Sequence, residues 1–280
     1  MPRSLVAGPE RLEPRDVPAR FDQLPVVPDW DPDVVANLRD VADRGRQLGR
    51  RPDVFIKVGD SNTDIPDYLT QFGQPGYDPA AFGLTAAAPE AVDTWAKYLA
   101  PVAGGNSFTR RSDAARGGWT AVNALFAVPA EVAATNAAVA VVMVGTNDSA
   151  LNPDPEAYRA NLTNLLNALT GLGVVPVVTG VPRLGPEWNR DGLIYSFNAV
   201  AADVAAALRV PFLNLHRADG DQPNYGLKYV GVDRGVHLSV SPRGGASFLP
   251  GDLGFGQNLR NLLVLRTLDL GLLQAGAGVK

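Results

Sequence analysis

Two histidines and no cysteine stand in a chain of 280 residues, so the side chains able to do nucleophilic or metal chemistry form a short list. Without cysteine there is no disulfide framework, no thiol nucleophile and no thiolate metal site. Two imidazoles cannot build a three-histidine metal centre, and no His-Glu-x-x-His pattern occurs. No metal or other cofactor need be invoked. If a histidine serves as general base, it is His216 or His237.

Four segments place chemically useful residues in glycine-rich turns. Gly59-Asp60-Ser61-Asn62 puts a serine just past an apolar run, where its hydroxyl can stand exposed at a sheet edge. Serine is a poor nucleophile until a base takes its proton, and the plain alternative is a strand-to-helix turn capped by Ser61 or Asn62. Gly145-Thr146-Asn147-Asp148 follows a second apolar run. An asparagine amide there suits a developing oxyanion, although Asn-Asp also favours turns in its own right. In Arg116-Gly117-Gly118-Trp119-Thr120 the paired glycines let a backbone N–H approach a ligand without a side chain in the way. The fourth segment, Gly231 to Ser239, carries Asp233 and His237 in a glycine-flanked loop. An aspartate there could orient the imidazole and stabilise its protonated form. His216, in Leu213-Asn214-Leu215-His216-Arg217, has no such company and reads more simply as a structural histidine.

The elements that must hold these turns follow from apolar periodicity. A helix begins at Pro32, with Val34, Val35, Leu38, Val41, Ala42 and Leu48 on one face and Gly49 as its stop. Val54 to Val58 reads as a buried strand, and Ala138 to Val144 as a second, continuously apolar as parallel central strands are. A helix follows with Tyr158, Leu162, Leu165, Leu166 and Leu169 on one face. Then come a strand at Val174 to Thr179, a helix at Leu193 to Leu208, a strand at Val210 to Asn214 and a last helix at Gly256 to Leu272. Alternating strands and helices specify an α/β fold with a parallel sheet covered on both faces, and such sheets bind ligands at the carboxyl ends of their strands. Pro66 to Ala103 reads as an irregular insertion with a helix near Pro89 to Leu99. Residues 1–31, rich in proline and charge, read as an arm that wraps the domain or stays disordered, and residues 32–280 as one domain.

Composition bounds the partners. With 46% hydrophobic and 19% charged residues, a sizeable core is available. A net charge of −4 and an isoelectric point near 5.2 argue against a nucleic-acid partner. No apolar run approaches the roughly 20 residues that span a bilayer, and the first residues lack the apolar core of a signal peptide. Localisation stays open between a soluble cytoplasmic protein and an exported one whose leader has been removed. Oligomeric state is open too, the arm and the leucine-rich last helix being the segments that could serve assembly. A nucleotide-binding domain would share the strand pattern, but no Gly-x-Gly-x-x-Gly follows a strand and no Walker loop occurs. Gly-x-Ser-x-Gly, the nucleophile elbow of the α/β-hydrolases, is also absent.

The ordered set of blocks resembles the SGNH (GDSL-type) hydrolase family over roughly residues 53 to 240. Gly59-Asp60-Ser61 looks like its first block, Gly118-x-Thr120 its second, Gly145-x-Asn147-Asp148 its third and the loop ending at His237 its last. The resemblance implies a flavodoxin-like three-layer α/β/α sandwich with a mostly parallel five-stranded sheet. It implies hydrolysis of esters, among them acetylated carbohydrates and acyl esters, with no metal. Ser61 would be the nucleophile and His237 the general base, and Ser61 N–H, Gly118 N–H and the Asn147 side chain would form the oxyanion hole. Asp60 and Asp148 would hold turns. Asn62, Trp119 and Leu238 are candidates to line the substrate pocket. Trp119 could equally be ordinary core, and Arg110, Arg111 and Arg116 could meet an anionic substrate or form a solvated face.

One departure is specific. The family places its aspartate three residues before the histidine; here that position is Arg234, and Asp233 stands four before. Either the loop bulges by a residue so that Asp233 still reaches the imidazole, or the site is a Ser/His dyad, or it is impaired. The last case leaves a binding module for carbohydrate or cell-envelope material as the alternative function.

Overall fold

The computed structural model describes residues 21–28, 30–188, 190–230 and 233–274. Most of the expected N-terminal arm, residues 1–20 and 29, lies outside the described residues, as does Gly231 in the fourth block. The described end of the arm packs on the domain. Phe21 is buried against Tyr195, with ring centroids 4.5 Å apart, and Asn214 donates from Nδ2 to its carbonyl at 2.7 Å.

Helix α1 spans Pro32–Gln47, with the Asp31 carboxylate accepting from the Asp33 N–H and Pro32 in the first turn, where a missing N–H costs nothing. Leu38, Val41 and Ala42 are buried as their spacing predicts, but Leu48 is half exposed because it sits past the last turn. Four strands follow in the sheet: β1 at Arg51–Gly59, β2 at Ala137–Met143, β3 at Val175–Thr179 and β4 at Phe212–Leu213. All pair in parallel in that order, with Val58, Val142, Val178 and Phe212 in register across the sheet.

Successive strand residues face opposite sides, and the core divides accordingly. Phe55, Val139, Val141 and Val177 pack with α1 and with helix α5, whose span is Gly256–Gln274. Val54, Ile56, Val58, Val142 and Val178 pack beneath helices α2 (Ala121–Thr135), α3 (Pro155–Gly171) and α4 (Asp191–Ala207). The result is the three-layer α/β/α arrangement. Helix α2 was not legible in the sequence: its alanine-rich run carries Pro129 inside and little amphipathic contrast.

Three expectations are corrected. Among the described residues the sheet has four strands, not five. Beyond β1 only an isolated parallel bridge forms, Gly59 with Ala115, before the chain turns away at Arg116–Trp119. Second, β4 is two residues long rather than five, because the Val210 N–H still closes α4 on the Ala205 carbonyl and Pro211 has no N–H to give. Third, His237 does not lie in a loop but on a strand. Strands β5 (Leu227–Val230) and β6 (Asp233–Leu238) form an antiparallel hairpin outside the main sheet. Within Pro66–Ala103, a 3-10 turn at Pro89–Ala91 runs into a helix at Val92–Lys97, and Tyr68, Phe72, Tyr77 and Tyr98 are core residues on the α1/α5 side.

At the end of β1 the backbone passes very close to its neighbours. A Cβ built on Gly59 would lie 2.4 Å from Thr63 Oγ1 and 2.6 Å from the Met143 carbonyl oxygen. Gly59→Ala should therefore destabilise the protein by about 1–3 kcal/mol through overpacking. Denaturant unfolding measures this, and an unchanged midpoint would show that the site tolerates a side chain.

Candidate active site

Ser61 opens a one-turn helix, Ser61–Asp64, directly after β1. Asp60 caps it, its Oδ1 accepting the Asn62 N–H at 3.1 Å. This turn presents the Ser61 hydroxyl at the carboxyl end of the sheet. The hairpin supplies the partner: His237 Nε2 lies 2.9 Å from Ser61 Oγ, and His237 Nδ1 lies 2.9 Å from Asp233 Oδ2. With the proton on Nδ1, the imidazole donates to Asp233 and accepts from the serine hydroxyl. Both of these acceptor and donor roles are what a Ser-His-Asp relay requires.

The four-residue spacing is absorbed by a bulge. Leu227 pairs with Leu238 and Tyr229 with Arg234, so four steps along β6 face two along β5. Gly235 sits in the bulge at φ +82°, and a Cβ there would lie 2.8 Å from the Tyr229 ring. That backbone angle strongly favours glycine. The bulge bends Asp233 back on its own strand. Its Oδ1 accepts from the N–H groups of Val236 and His237, both at 3.3 Å, while Oδ2 meets the imidazole. The Gly235 carbonyl accepts from the Gly185 N–H at 2.8 Å and the Arg234 carbonyl from Trp188 Nε1 at 3.0 Å, which ties the bulge to the loop after β3.

Two more turns close on Ser61. The Arg116 N–H donates to the Gly59 carbonyl at 3.2 Å, and a Cβ on Gly117 would lie 3.8 Å from Ser61 Cβ, so the Gly117-Gly118 turn stands beside the serine. Gly118 itself is solvent-exposed with φ +82°. After β2, Gly145 caps a short helix, Thr146–Leu151, and Asn147 donates from Nδ2 to the Trp119 carbonyl at 3.1 Å. The turns bearing Gly118 and Asn147 are thus bonded to each other. Asp148 adds a second tie, both carboxylate oxygens accepting the Ala121 N–H at the start of α2.

The sequence of residues 58–241 matches the GDSL-like lipase/acylhydrolase family. The chain belongs to this family. No curated protein shows significant sequence similarity to the chain. Solved structures similar to it include a lipase/acylhydrolase from Enterococcus faecalis (19% identity, covering 77% of this chain and 94% of that one, TM-score 0.49). A GDSL-like lipase from Bacteroides thetaiotaomicron is another (17% identity, 84% and 98%, TM-score 0.48). A third is an acetyl esterase mutant holding an acetate ion (17% identity, 80% and 99%, TM-score 0.50). At these identities the likeness is one of fold.

Other residues singled out in the sequence fall in different places. Asn62 is fully buried and faces the hairpin rather than a cleft: its Oδ1 accepts the Leu238 N–H at 3.1 Å and its Nδ2 donates to the Val236 carbonyl at 3.3 Å. Leu238 is buried but still contributes to a cleft wall. Trp119 is half-buried, with the Arg116 guanidinium over its ring. Arg110 is ion-paired with buried Glu131 and Arg111 with Asp64, so neither is an uncommitted anion site. His216 is buried edge-on to Phe21, while it is His237 that meets Ser61. Among the described residues no three His, Cys, Asp or Glu side chains converge as a metal site would need.

The sequence reading missed Arg260. It is fully buried on α5, donates from Nη1 to the Asn62 carbonyl and from Nη2 to Thr63 Oγ1 at 3.0 Å, and stacks on Tyr68 at 3.8 Å. Nothing in a leucine-rich helix marks one arginine as interior; only the buried carbonyls after β1 explain it.

Burial raises two carboxyls at this end of the sheet. Asp60 is pushed up to about 6 by desolvation, against the lowering effects of the Asn62 N–H and of nearby Arg260. Asp148 is likewise pushed up to about 6 by burial, against its backbone hydrogen bonds. For Asp60 the folded state keeps the proton through a range where the unfolded chain, with its ordinary carboxyl near 3.8, has lost it. Stability from this group is therefore present at low pH and declines as pH rises through about 4 to 6. Asp60→Asn keeps a capping side chain without the charge. Its stability relative to wild type should rise between pH 4 and pH 7 by on the order of 2–3 kcal/mol. Denaturant unfolding at the two pH values measures the change, and a difference constant with pH would show that the carboxyl titrates normally.

Proposed function

We propose that the protein is a serine esterase that hydrolyses carboxylic esters through an acyl-enzyme. The observation that carries this reading is the continuous chain Ser61 Oγ to His237 to Asp233, each link 2.9 Å, in a member of a lipase/acylhydrolase family. His237 takes the Ser61 proton as Oγ attacks the ester carbonyl, and Asp233 stabilises the imidazolium that forms. The tetrahedral oxyanion is held by Ser61 N–H, Gly118 N–H and the Asn147 amide hydrogen not donated to Trp119, each strong donor contributing about 3 kcal/mol. The imidazolium then gives its proton to the leaving alcohol. Water enters, His237 takes its proton, the acyl-serine bond breaks and Ser61 is restored with release of the acid.

The substrate is a carboxylic ester, either an acyl ester or an acetylated carbohydrate. The unusual spacing before His237, which would have favoured a silent binding module, is met by the bulge at Gly235 and by three hydrogen bonds that the Asp233 carboxylate accepts from β6. Among the described residues no helix is long and apolar enough to cross a membrane.

Ser61→Ala should lower kcat on p-nitrophenyl acetate by about 10⁴-fold or more and abolish labelling by a fluorophosphonate probe. Wild-type turnover by that variant would sink the proposal. Asp233→Ala should lower kcat by about 10³- to 10⁴-fold. A loss under about threefold would instead describe a Ser/His dyad, with Asp233 serving only the β6 backbone.

A further inference from the structure

The environment of His237 is asymmetric. On one side lies the Ser61 turn with the Gly118 and Asn147 segments. On the other lies an open cleft of about 860 Å³, bounded by the hairpin, the segment after Ser61–Asp64 and the start of α5. His237 and Asp233 line this cleft, whereas Ser61, Gly118, Trp119 and Asn147 do not. Its walls are mostly apolar, built from Ile65, Leu227, Val236, Leu238, Val240 and Phe255. Lys228 and Trp188 stand at its exposed margin, with Lys228 Nζ 4.0 Å from Asp233 Oδ2. The size is that of a small-molecule site.

In acyl transfer the departing oxygen must lie within hydrogen-bond reach of the imidazolium, while the carbonyl oxygen lies among the oxyanion donors. The group attached to the departing oxygen then extends to the imidazole side. From the position of the cleft we infer that it is the leaving-group subsite, and that the preferred substrates are esters of apolar alcohols, alkyl or aryl, rather than of sugar hydroxyls. This rests on the acyl-transfer reading above and adds to it the chemistry of the alcohol. A polyhydroxylated leaving group would lose water on walls that are mostly apolar, where Asp67, Lys228, Tyr229 and the already bonded Ser239 hydroxyl offer it few partners, whereas an alkyl or aryl group gains by burial. Leu227 and Leu238 also pack into the core behind the hairpin, so the floor of the cleft is set by residues that hold β5 and β6.

The test separates the two halves of the ester. One series keeps the acetyl group and varies the alcohol through methyl, butyl, hexyl and benzyl acetate, with an acetylated methyl glycoside as the sugar arm. The second keeps methanol and varies the acid from acetate to octanoate. For wild type, kcat/KM should rise at least tenfold from methyl to hexyl acetate, with the glycoside no better than methyl acetate, and should change less than threefold along the acyl series. Val240→Trp, which fills the cleft, should bring the hexyl-to-methyl ratio towards one, and Phe255→Trp should do the same. A flat alcohol series in an active enzyme, or preference for the glycoside, would overturn the leaving-group assignment alone. Absence of hydrolysis from both series, with Ser61→Ala no different from wild type, would overturn the acyl-transfer reading and the assignment with it.

Discussion

The site depends on one buried amide. Ser61 and His237 are 176 residues apart in sequence, on a turn of the main sheet and on a hairpin that shares no ladder with it. What sets their distance is the carboxamide of Asn62, which accepts from the Leu238 N–H and donates to the Val236 carbonyl. These are the two residues flanking His237. Because Asn62 adjoins Ser61 and its two partners flank His237, these two hydrogen bonds fix Ser61 against His237. A planar amide with one acceptor and one donor edge can make both bonds at once, and in a water-free setting leaving either unmade would be costly. The amide is held in turn by its own backbone, whose carbonyl is taken by Arg260.

That arrangement explains why so much charge is buried behind Ser61. Arg260, Asp60, Asp148 and Asp219 are almost fully enclosed, and burial pushes Arg260 down and the three carboxyls up. Burying such groups opposes stability unless partners compensate. Here Arg260, Asp60 and Asp148 each answer a geometric need. Arg260 spans the Asn62 carbonyl and Thr63 Oγ1, Asp60 caps the Ser61–Asp64 turn, and Asp148 joins the Asn147 segment to the start of α2 just beyond Gly118. A purely apolar interior could fill the same space, but it could not fix the direction of these backbone groups.

The sequence carried the parts whose signal is local. Continuous valine runs marked the sheet, period-3.6 leucines marked α3, and glycine-flanked polar turns marked Ser61, Gly118 and Asn147. Helix α2 was missed because Pro129 and many alanines blur its amphipathic pattern. Asn62 was taken for a pocket residue because an exposed-looking turn gives no hint that a hairpin far along the chain will cover it. Arg260 was invisible for the same reason: its partners are carbonyl and hydroxyl oxygens brought to it by tertiary structure.

Spacing alone could not decide the role of Asp233, and the reason lies in strand geometry. Along a regular strand, residues four apart are separated by about 13 Å, too far for a carboxylate to meet an imidazole. A three-residue spacing in a tight turn and a four-residue spacing across a bulge can both bring the groups together. What distinguishes them is the backbone angle at one intervening residue. Gly235 supplies it at φ +82°, and its lack of a side chain also lets the bulge lie against Tyr229 and Gly185. The informative feature of the fourth block was therefore the glycine between Asp233 and His237, rather than the count of residues separating them.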